Sequence, residues 1–281
     1  MQNLAPTPAI SSPSPQLSPP ALEIKSLVKN FGGKTAVDHL DLTIAQGEFH
    51  ALLGPNGAGK TTTLRIVAGL LKADSGRAKI MGYDIAKQPI EAKKGLAFLP
   101  DDPLLYGKLK PLEYLEFVAG LWRIDGDVAA PRAQDLLKQL DLWGNTNELI
   151  EGFSRGMRQK LALAGALIHD PQVLILDEPL TGLDAAAARQ VKDILLARVK
   201  GGNTIVLTTH ILEMAERLAE RISIIQKGKI IAQGTLDELR ALAQPSNSGG
   251  QNAGSTLEDV FLGLTAAAAA APDSSATSGT T

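Results

Sequence analysis

The 281-residue sequence contains no cysteine, and aromatic residues make up only 4% of it. Without cysteine the chain has no disulfide bond, no thiolate metal site and no thiol nucleophile. The absence of cysteine is compatible with the cytosol but does not establish that location. Any catalysis must therefore rest on carboxylates, amines, hydroxyls, imidazoles or a bound group.

Long apolar runs and a surplus of basic residues are also missing. The longest apolar candidate, residues 264–271, is mostly alanine and falls short of the roughly 20 residues that span a bilayer. No sustained apolar stretch precedes the first lysine, Lys25, so we expect no secretory signal. With 28 Lys and Arg against 30 Asp and Glu, we expect no nucleic-acid partner, although a local basic patch is compatible with this total. The composition indicates a soluble protein, or one attached to a membrane through another molecule.

Composition divides the chain into a central domain and low-complexity ends. Residues 1–20 are rich in Pro and Ser, residues 244–256 are mostly small and polar, and residues 266–281 are mostly Ala, Ser and Thr. Such segments bury too little apolar area to offset the entropy of ordering them, so we predict disordered ends and a flexible linker. We predict one folded domain at 21–243 and, after the linker, a short amphipathic helix at 257–265.

Within the central domain, short apolar strands alternate with segments of helical spacing. Residues 49–53 and 173–176 are almost continuously apolar, as in strands that are covered on both faces. Residues 22–28 and 40–44 alternate between apolar and polar, as half-buried strands do. The alternation of strands and helices predicts an α/β core with a mostly parallel sheet. The helical block at about 102–157 interrupts this order and predicts an inserted α-helical subdomain.

A glycine-rich segment between a predicted strand and a predicted helix carries the strongest functional signal. The phosphate-binding pattern G-x-x-x-x-G-K-[ST] is matched by Gly54, Pro55, Asn56, Gly57, Ala58, Gly59, Lys60 and Thr61. Glycine lets backbone N–H groups turn toward phosphate oxygens, and the following helix adds the positive end of its dipole. We expect Lys60 to reach the β- and γ-phosphates and the Thr61 hydroxyl to hold Mg²⁺. A chance match in a glycine-rich turn is the weaker interpretation. No internal repeat is visible, so we predict one nucleotide-binding unit.

Two carboxylates, Asp177 and Glu178, follow the apolar strand at 173–176. In phosphate-loop enzymes a carboxylate at such a strand end helps to hold Mg²⁺, and Asp177 has that position. Because side chains alternate along a strand, we expect Glu178 to point elsewhere and to polarise the attacking water. The alternative is that Asp177 and Glu178 are ordinary surface acids. The phosphate loop in the same sheet makes this alternative improbable.

Two further polar residues precede predicted helices. His210 follows the strand at 204–207, where a polar group can contact the γ-phosphate, because ligands of α/β sheets bind beyond the carboxyl ends of strands. A capping or buried histidine is the alternative interpretation of His210. Ser154 stands before the helix at 156–168, where it can serve as an N-cap, and the N-terminus of that helix can also bind an anion. The two interpretations of Ser154 are compatible.

With these residues in place, residues 22–240 resemble the nucleotide-binding subunit of an ABC (ATP-binding cassette) transporter. The matching motifs are Phe31 for the aromatic that stacks on adenine, residues 54–62 and 174–179 for the two Walker motifs, residues 153–157 for the signature that is usually LSGGQ, Leu183-Asp184 for the D-loop and Thr209-His210 for the switch histidine. The resemblance implies an α/β P-loop NTPase core with a mostly parallel sheet, an antiparallel β-subdomain and an inserted α-helical subdomain.

The resemblance also implies ATP and Mg²⁺ as ligands and a head-to-tail dimer, which we expect to be a homodimer, with ATP between the subunits. The residues implied to bind the nucleotide are Phe31, Gly54, Pro55, Asn56, Gly57, Ala58, Gly59, Lys60, Thr61, Thr62 and, from the second subunit, Ser154 and Gly156. The implied catalytic residues are Lys60, Asp101, Glu178 and His210, and the implied metal-binding residues are Thr61, Asp101 and Asp177. Glu178 would orient water and His210 would steady the γ-phosphate, and hydrolysis would reopen the dimer.

The sequence departs from the family pattern at the signature and at the Q-loop. Arg155 replaces the first glycine of the signature and Met157 its glutamine, while Ser154 and Gly156 are kept. Asp101 stands where the family has the Q-loop glutamine, and its shorter side chain alters how Mg²⁺ or water can be coordinated there.

The end of the chain resembles exporters that pair with a separate multi-span permease. Residues 255–262 are similar to the C-terminal LEDVF segment of such cassettes, although a tail helix that covers its own domain is the alternative. The resemblance implies an ATPase at the cytoplasmic face of the cell membrane, with residues 102–153 against the permease. Two other hypotheses are a soluble ABC-type ATPase that acts on ribosomes or DNA, and a regulatory cassette with weakened catalysis.

Overall fold

The structure, a computed structural model, describes residues 18–243 and 256–270. The predictions for residues 1–17, 244–255 and 271–281 lie outside the described residues. The strands are β1 (Leu22–Phe31), β2 (Lys34–Ile44), β3 (Phe49–Leu53), β4 (Ser75–Ile80), β5 (Tyr83–Asp84), β6 (Leu96–Leu99), β7 (Val173–Asp177), β8 (Thr204–Thr208), β9 (Arg221–Gln226) and β10 (Lys229–Gly234). The α-helices are α1 (Lys60–Val67), α2 (Pro89–Lys94), α3 (Pro111–Leu121), α4 (Gly126–Gln139), α5 (Arg155–Leu167), α6 (Ala185–Lys200), α7 (Leu212–Leu218), α8 (Leu236–Ala243) and α9 (Leu257–Ala270).

A four-stranded antiparallel sheet, in the order β2-β1-β4-β5, forms one layer of the domain. Leu22 and Ile24 of β1 pair with Ile44 and Leu42 of β2, and all four side chains are buried. Because alternate residues of a strand share a face, these side chains lie on one side of the sheet. They join a core cluster that includes residues of α1, which attaches this sheet to the rest of the domain.

The second sheet has six strands in the order β10-β9-β3-β8-β7-β6. The pairings from β9 through β3, β8 and β7 to β6 are parallel, and only the β9–β10 pairing within it is antiparallel. Every residue of β3, β7 and β8 is buried, as the continuous apolar runs predicted. Parallel order brings the carboxyl ends of β3, β6, β7 and β8 to one edge of the sheet, which positions the residues that follow them. The predicted α/β fold with a mostly parallel sheet and a separate antiparallel sheet is confirmed.

The helical block lies between β6 and β7 and consists of α3, α4 and two short 3₁₀ turns, Trp143–Asn145 and Ile150–Gly152, followed by α5. Leu115, Leu137 and Leu161, one from each of the three helices, are fully buried in a single cluster that extends to the face of the six-stranded sheet. Helix α5 starts inside the predicted 102–157 range and continues beyond it to pack under the sheet, so it links the block to the core.

Several predicted boundaries differ from those of the structure. The apolar spacing of residues 131–140 predicts a helix that begins at Pro131. Helix α4 instead begins at Gly126, so Pro131 lies inside it and removes one backbone hydrogen bond. The helical pattern after the phosphate loop predicts a helix that ends near Leu71, but α1 ends at Val67. Helices α2 and α8, which have 6 and 8 residues, were not predicted.

Helix α9 runs from Leu257 to Ala270, five residues past the predicted end at 265. The extension consists of alanine, which has the highest helix propensity, so the assignment of residues 266–270 to a disordered tail was wrong. Leu257 and Val260 are buried in a cluster with residues of β9, β10, α7 and α8. The backbone N–H of Leu257 donates to Glu216 Oε2 at 3.2 Å, which ties the helix start to α7. No helix among residues 18–243 and 256–270 is both long and apolar enough to span a membrane.

Candidate functional site

The glycine-rich loop joins the buried end of β3 to the first residue of α1. Gly57 and Gly59 have φ angles of 78° and 108°, in the left-handed region that glycine adopts at little cost. A Cβ atom on Gly59 would lie 2.4 Å from the Ala36 carbonyl oxygen, and one on Gly54 would lie 2.3 Å from the Ile225 carbonyl oxygen. The loop is therefore packed so tightly between β2 and β9 that Gly54 and Gly59 admit no side chain.

Lys60, the first residue of α1, folds back over this loop. Its Nζ donates to the carbonyl oxygens of Gly54 at 2.6 Å and Pro55 at 3.2 Å. Desolvation lowers the pKa of Lys60 below the ordinary value of 10.5, while the nearby carboxylates of Glu178 and Asp177 oppose that shift. The ammonium group is thus held at the loop, where an anion would meet it.

Thr61 and Asp177 meet although they come from different elements. The Thr61 hydroxyl donates to Asp177 Oδ2 at 3.0 Å, and the hydroxyl of Thr208 donates to the other carboxylate oxygen. Asp177 ends β7 directly opposite Thr208 at the end of β8, and its side chain is only 4% exposed. The two hydroxyls fix the carboxylate, which stands beside the loop as the sequence predicted. Thr208 was missed, because its role follows from strand register and not from any motif.

Glu178 has a φ angle of 51°, outside the strand region. Our expectation that strand alternation turns its side chain was therefore wrong, since β7 ends at Asp177 and the left-handed backbone sets the direction of the side chain. The backbone N–H of Glu178 donates to the Thr208 carbonyl oxygen at 3.2 Å, which stabilises this conformation. Glu178 Oε2 lies 2.9 Å from His210 Nδ1. The carboxylate is mostly buried, at 18% exposure, whereas the imidazole is 64% exposed.

These groups share a cleft of about 540 Å³. Its lining comprises Phe31, Lys34, Ala36, residues 56–62, Asp101, Asp177, Glu178, Thr181 and His210. The cleft thus brings four of the proposed site residues, Phe31, Thr62, Asp101 and His210, together with the loop. It also includes Lys34 and Thr181, which no motif indicated. Gly54 and Pro55 do not line it and contribute through their carbonyl oxygens. A larger cavity, of about 970 Å³, lies between the antiparallel sheet and the end of α1, away from these groups.

Phe31 stands at the rim of the cleft with 48% of its surface exposed. The ammonium group of Lys29 lies 5.4 Å from the centroid of the Phe31 ring and also pairs with Asp74 at 2.8 Å. An exposed aromatic ring beside a phosphate loop is suited to stacking against a planar base.

Ser154 and Gly156 do not line the cleft of their own chain. Ser154 Oγ accepts a hydrogen bond from the backbone N–H of Met157 at 3.2 Å, so the residue is the N-cap of α5. Gly156 packs against the turn that contains Gly182 and Leu183. Within one chain, the two signature residues and the phosphate loop are therefore separate surfaces.

Comparison with known proteins identifies the family. A family model described as "ABC transporter" matches residues 37–181, from β2 to the turn after Glu178. The chain belongs to the ABC transporter family. Daunorubicin resistance ATP-binding protein DrrA3 of Streptomyces coeruleorubidus is 40% identical over 221 residues, which cover 79% of this chain and 70% of that protein. Daunorubicin/doxorubicin resistance ATP-binding protein DrrA of Streptomyces peucetius is 38% identical over 221 residues, covering 79% and 67% of the two chains.

Solved ABC structures share the architecture. A structure described as the ATP-binding subunit of an ABC transporter superposes with a TM-score of 0.80 at 31% identity, and the match covers 87% of this chain and 99% of that one. Membership of the ABC transporter family implies that the chain binds ATP, that it is an ATPase and that its partner is a membrane permease.

Proposed function

We propose that this ABC cassette hydrolyses ATP in the cleft between the glycine-rich loop and the ends of β7 and β8, and that the reaction powers export through a separate permease. The observation that carries the proposal is the hydrogen bond between Glu178 and His210 beside the Thr61–Asp177 pair. In this arrangement the side chains that position water and phosphate lie next to the groups that hold the nucleotide.

The loop residues bind the triphosphate in this proposal. Backbone N–H groups of residues 56–62 and the ammonium group of Lys60 face the phosphate oxygens, and Phe31 stacks on the adenine ring. The N-terminus of α1 adds a positive end of a helix dipole at the same place. Phosphoryl transfer needs this positioning and neutralisation of charge more than it needs covalent help from the protein.

The residues around Asp177 suit Mg²⁺. The Thr61 hydroxyl and the Asp177 carboxylate are adjacent oxygen ligands of the kind that Mg²⁺ prefers. No group of three or more His, Cys, Asp or Glu side chains that could hold a metal ion by itself is found among the described residues. This fits a metal that is usually held by one or two protein groups together with substrate phosphates. Thr61 and Asp177 would hold the ion, with Asp101 at the same cleft, and bound Mg²⁺ supplies neutralisation of the phosphate charge.

Glu178 and His210 act on the reaction itself in this proposal. Glu178 accepts a hydrogen bond from the attacking water and orients it toward the γ-phosphate. His210 holds the Glu178 carboxylate through Nδ1 and presents its exposed ring to the γ-phosphate. The left-handed backbone at Glu178 costs roughly 1–3 kcal/mol, and such strain recurs where a side chain must be aimed at a reacting group.

The separation of Ser154 and Gly156 from the cleft supports a dimer. A helix N-terminus capped by Ser154 is suited to binding anions, yet neither Ser154 nor Gly156 lines the cleft of its own chain. In a head-to-tail homodimer each chain would present Ser154 and Gly156 to the γ-phosphate held by the other chain. ATP would then close the two subunits together, and hydrolysis would let them separate.

The export direction rests on the relatives and on the surface of the helical block. The relatives described above are named for resistance to daunorubicin and doxorubicin, which supports export of a drug-like compound. Between residues 102 and 153 several large apolar side chains are exposed: Leu104, Tyr106, Phe117, Leu121, Val128, Trp143 and Leu149. Such a surface suits a protein contact, and we assign it to the permease at the cytoplasmic face of the cell membrane.

The test is purification of the tagged full chain from detergent-solubilised membranes, followed by identification of the proteins that accompany it. The proposal predicts a multi-span membrane protein in stoichiometric amount. As a matched variant, Leu121→Glu places a charge on the exposed face of α3 and should reduce recovery of the permease while ATP binding is unchanged. The proposal would be contradicted if the chain purified with ribosomes in a salt-sensitive association and no membrane protein accompanied it. That result would favour the soluble ATPase.

A further inference from the structure

Two of the departures from the family pattern, Asp101 and Arg155, meet in space. Arg155 Nη2 lies 3.7 Å from Asp101 Oδ1, and the two side chains are 57% and 52% exposed. Asp101 comes from the segment after β6, whereas Arg155 is the first residue of α5. A carboxylate and a guanidinium that replace uncharged residues of the family pattern therefore form an ion pair between two motifs.

Arg155 also packs on a third motif. Gly182 has a φ angle of 81°, and a Cβ atom on it would lie 2.9 Å from Arg155 Cδ and 3.1 Å from Arg155 Nε. The stem of Arg155 thus covers Gly182 without room for a further atom. The backbone N–H of Thr181, next to Gly182, donates to the Glu178 carbonyl oxygen at 3.1 Å, so this turn continues directly from Glu178.

The charges in the cleft indicate what the ion pair between Arg155 and Asp101 does. Asp101 lines the same cleft as Asp177 and Glu178, so three carboxylates surround the place that a triphosphate must occupy. Asp177 is held by two hydroxyls and Glu178 by His210, and Arg155 is the cation that lies within ion-pair distance of Asp101. Neutralising Asp101 lowers the repulsion that an incoming nucleotide meets.

We propose that Arg155 is a positioning residue for the nucleotide site of its own chain: it neutralises and holds Asp101 at the cleft and keeps the turn after Glu178 in place. This inference rests on the proposed function, because it concerns the cleft that is assigned to ATP. It assigns to Arg155 a role within one subunit, in addition to whatever α5 contributes to a second subunit.

The test is a double-mutant cycle on the full chain, with ATP affinity and steady-state KM and kcat as readouts. Arg155→Gln removes the charge but keeps a stem over Gly182, and it should weaken ATP binding about two- to fivefold at low salt, as expected for an exposed ion pair. The same change in an Asp101→Asn background should have almost no effect. Arg155→Lys should retain most of the affinity, and Arg189→Ala, a change to an exposed arginine on α6, should match the wild type.

The salt dependence of ATP affinity distinguishes an ion pair from a purely structural role of Arg155, because a structural role would not depend on salt. The effect of Arg155→Gln should shrink as ionic strength rises, because exposed charges are screened. An equal loss of affinity in the Asp101→Asn background, or no loss in the single variant, would overturn the inference while leaving the ATPase proposal intact. Failure of the wild-type chain to bind ATP would overturn the proposed function itself.

Discussion

The Thr61 hydroxyl donates to the Asp177 carboxylate at 3.0 Å and so joins the start of α1 to the end of β7. The two residues are far apart in the sequence but meet because β3 and β7 are parallel strands on either side of β8. This contact places two of the expected Mg²⁺ ligands side by side.

Asp177→Asn should remove the Mg²⁺ dependence of nucleotide binding. An amide lacks the negative charge of the carboxylate, so we expect about a 10- to 100-fold loss of Mg²⁺ affinity. The measurement is ATP binding titrated with Mg²⁺ and repeated in excess chelator, where the variant and the wild type should agree. Asp193→Asn, a change to an exposed carboxylate on α6, is the control. An unchanged Mg²⁺ titration of Asp177→Asn would remove this residue from the metal site.

Lys60→Ala should weaken ATP binding about 10- to 100-fold, since hydrogen bonds to charged groups are worth roughly 1.5–3 kcal/mol. The loss arises because the ammonium group held over Gly54 and Pro55 disappears. Equilibrium binding of ATP measures the effect, with the exposed lysine variant Lys94→Ala as control. Undiminished binding would contradict the assignment of the loop.

Gly59→Ala should destabilise the domain more than Gly57→Ala does. Both substitutions force a β-carbon into the left-handed region, which costs roughly 1–2 kcal/mol. At Gly57 a Cβ atom would meet nothing within 4 Å, whereas at Gly59 it would lie 2.4 Å from the Ala36 carbonyl oxygen, which adds about 1–3 kcal/mol of overpacking. Denaturant unfolding of the two variants gives the comparison, and equal losses would show that the loop shifts to accept the new atom.

The stability of the domain should fall as the pH drops below 6.5 because of His169. Its ring stacks on Trp122 with centroids 3.9 Å apart, and its Nε2 lies 3.1 Å from the Leu96 carbonyl oxygen, so Nε2 carries the proton. Within the described part of the chain the buried Nδ1 has no partner, so a second proton there would be unsatisfied. Burial accordingly lowers the pKa of His169 below 6.5.

The direction of this pH effect on stability follows from the linkage between proton binding and folding. Below 6.5 the unfolded chain takes up a proton that the folded chain refuses, so the free energy of unfolding decreases as the pH falls toward the lowered pKa. Denaturant titrations at about pH 7.5 and about pH 5.5 measure this decrease. His169→Phe keeps a ring against Trp122 but cannot titrate, and its pH dependence should be weaker. A wild-type slope in His169→Phe would refute the prediction.

Sequence patterns can predict some parts of the site but not others, as the residues next to the phosphate loop show. Residues 54–61 and the strand that ends at Asp177 follow local rules of glycine placement and apolar runs, so pattern and structure agree there. The contact of Thr208 with Asp177 depends instead on the register of two strands, and the direction of Glu178 on one backbone angle. Neither the register of the strands nor this backbone angle can be recognised from residue types at a fixed spacing.

The pairing of Asp101 with Arg155 illustrates the same limit at longer range. Each residue was visible as a departure from a family pattern, but their contact depends on how α5 packs beside the end of β6. The fold class and the parallel sheet followed from alternating strands and helices. Short helices such as α8, and the extension of α9 to Ala270, depend on packing and propensity that the period of apolar residues does not report.

The most direct test of the account is the rate of ATP hydrolysis by Glu178→Gln, measured together with its ATP affinity. The amide keeps the size of the side chain but cannot accept a proton from water, so we expect hydrolysis to fall at least about 100-fold while ATP remains bound and the dimer stays closed. Retained binding with lost turnover would establish Glu178 as the residue that activates water in this cleft. Hydrolysis at the wild-type rate would contradict the central claim that the cleft, as built around Glu178 and His210, is where ATP is cleaved.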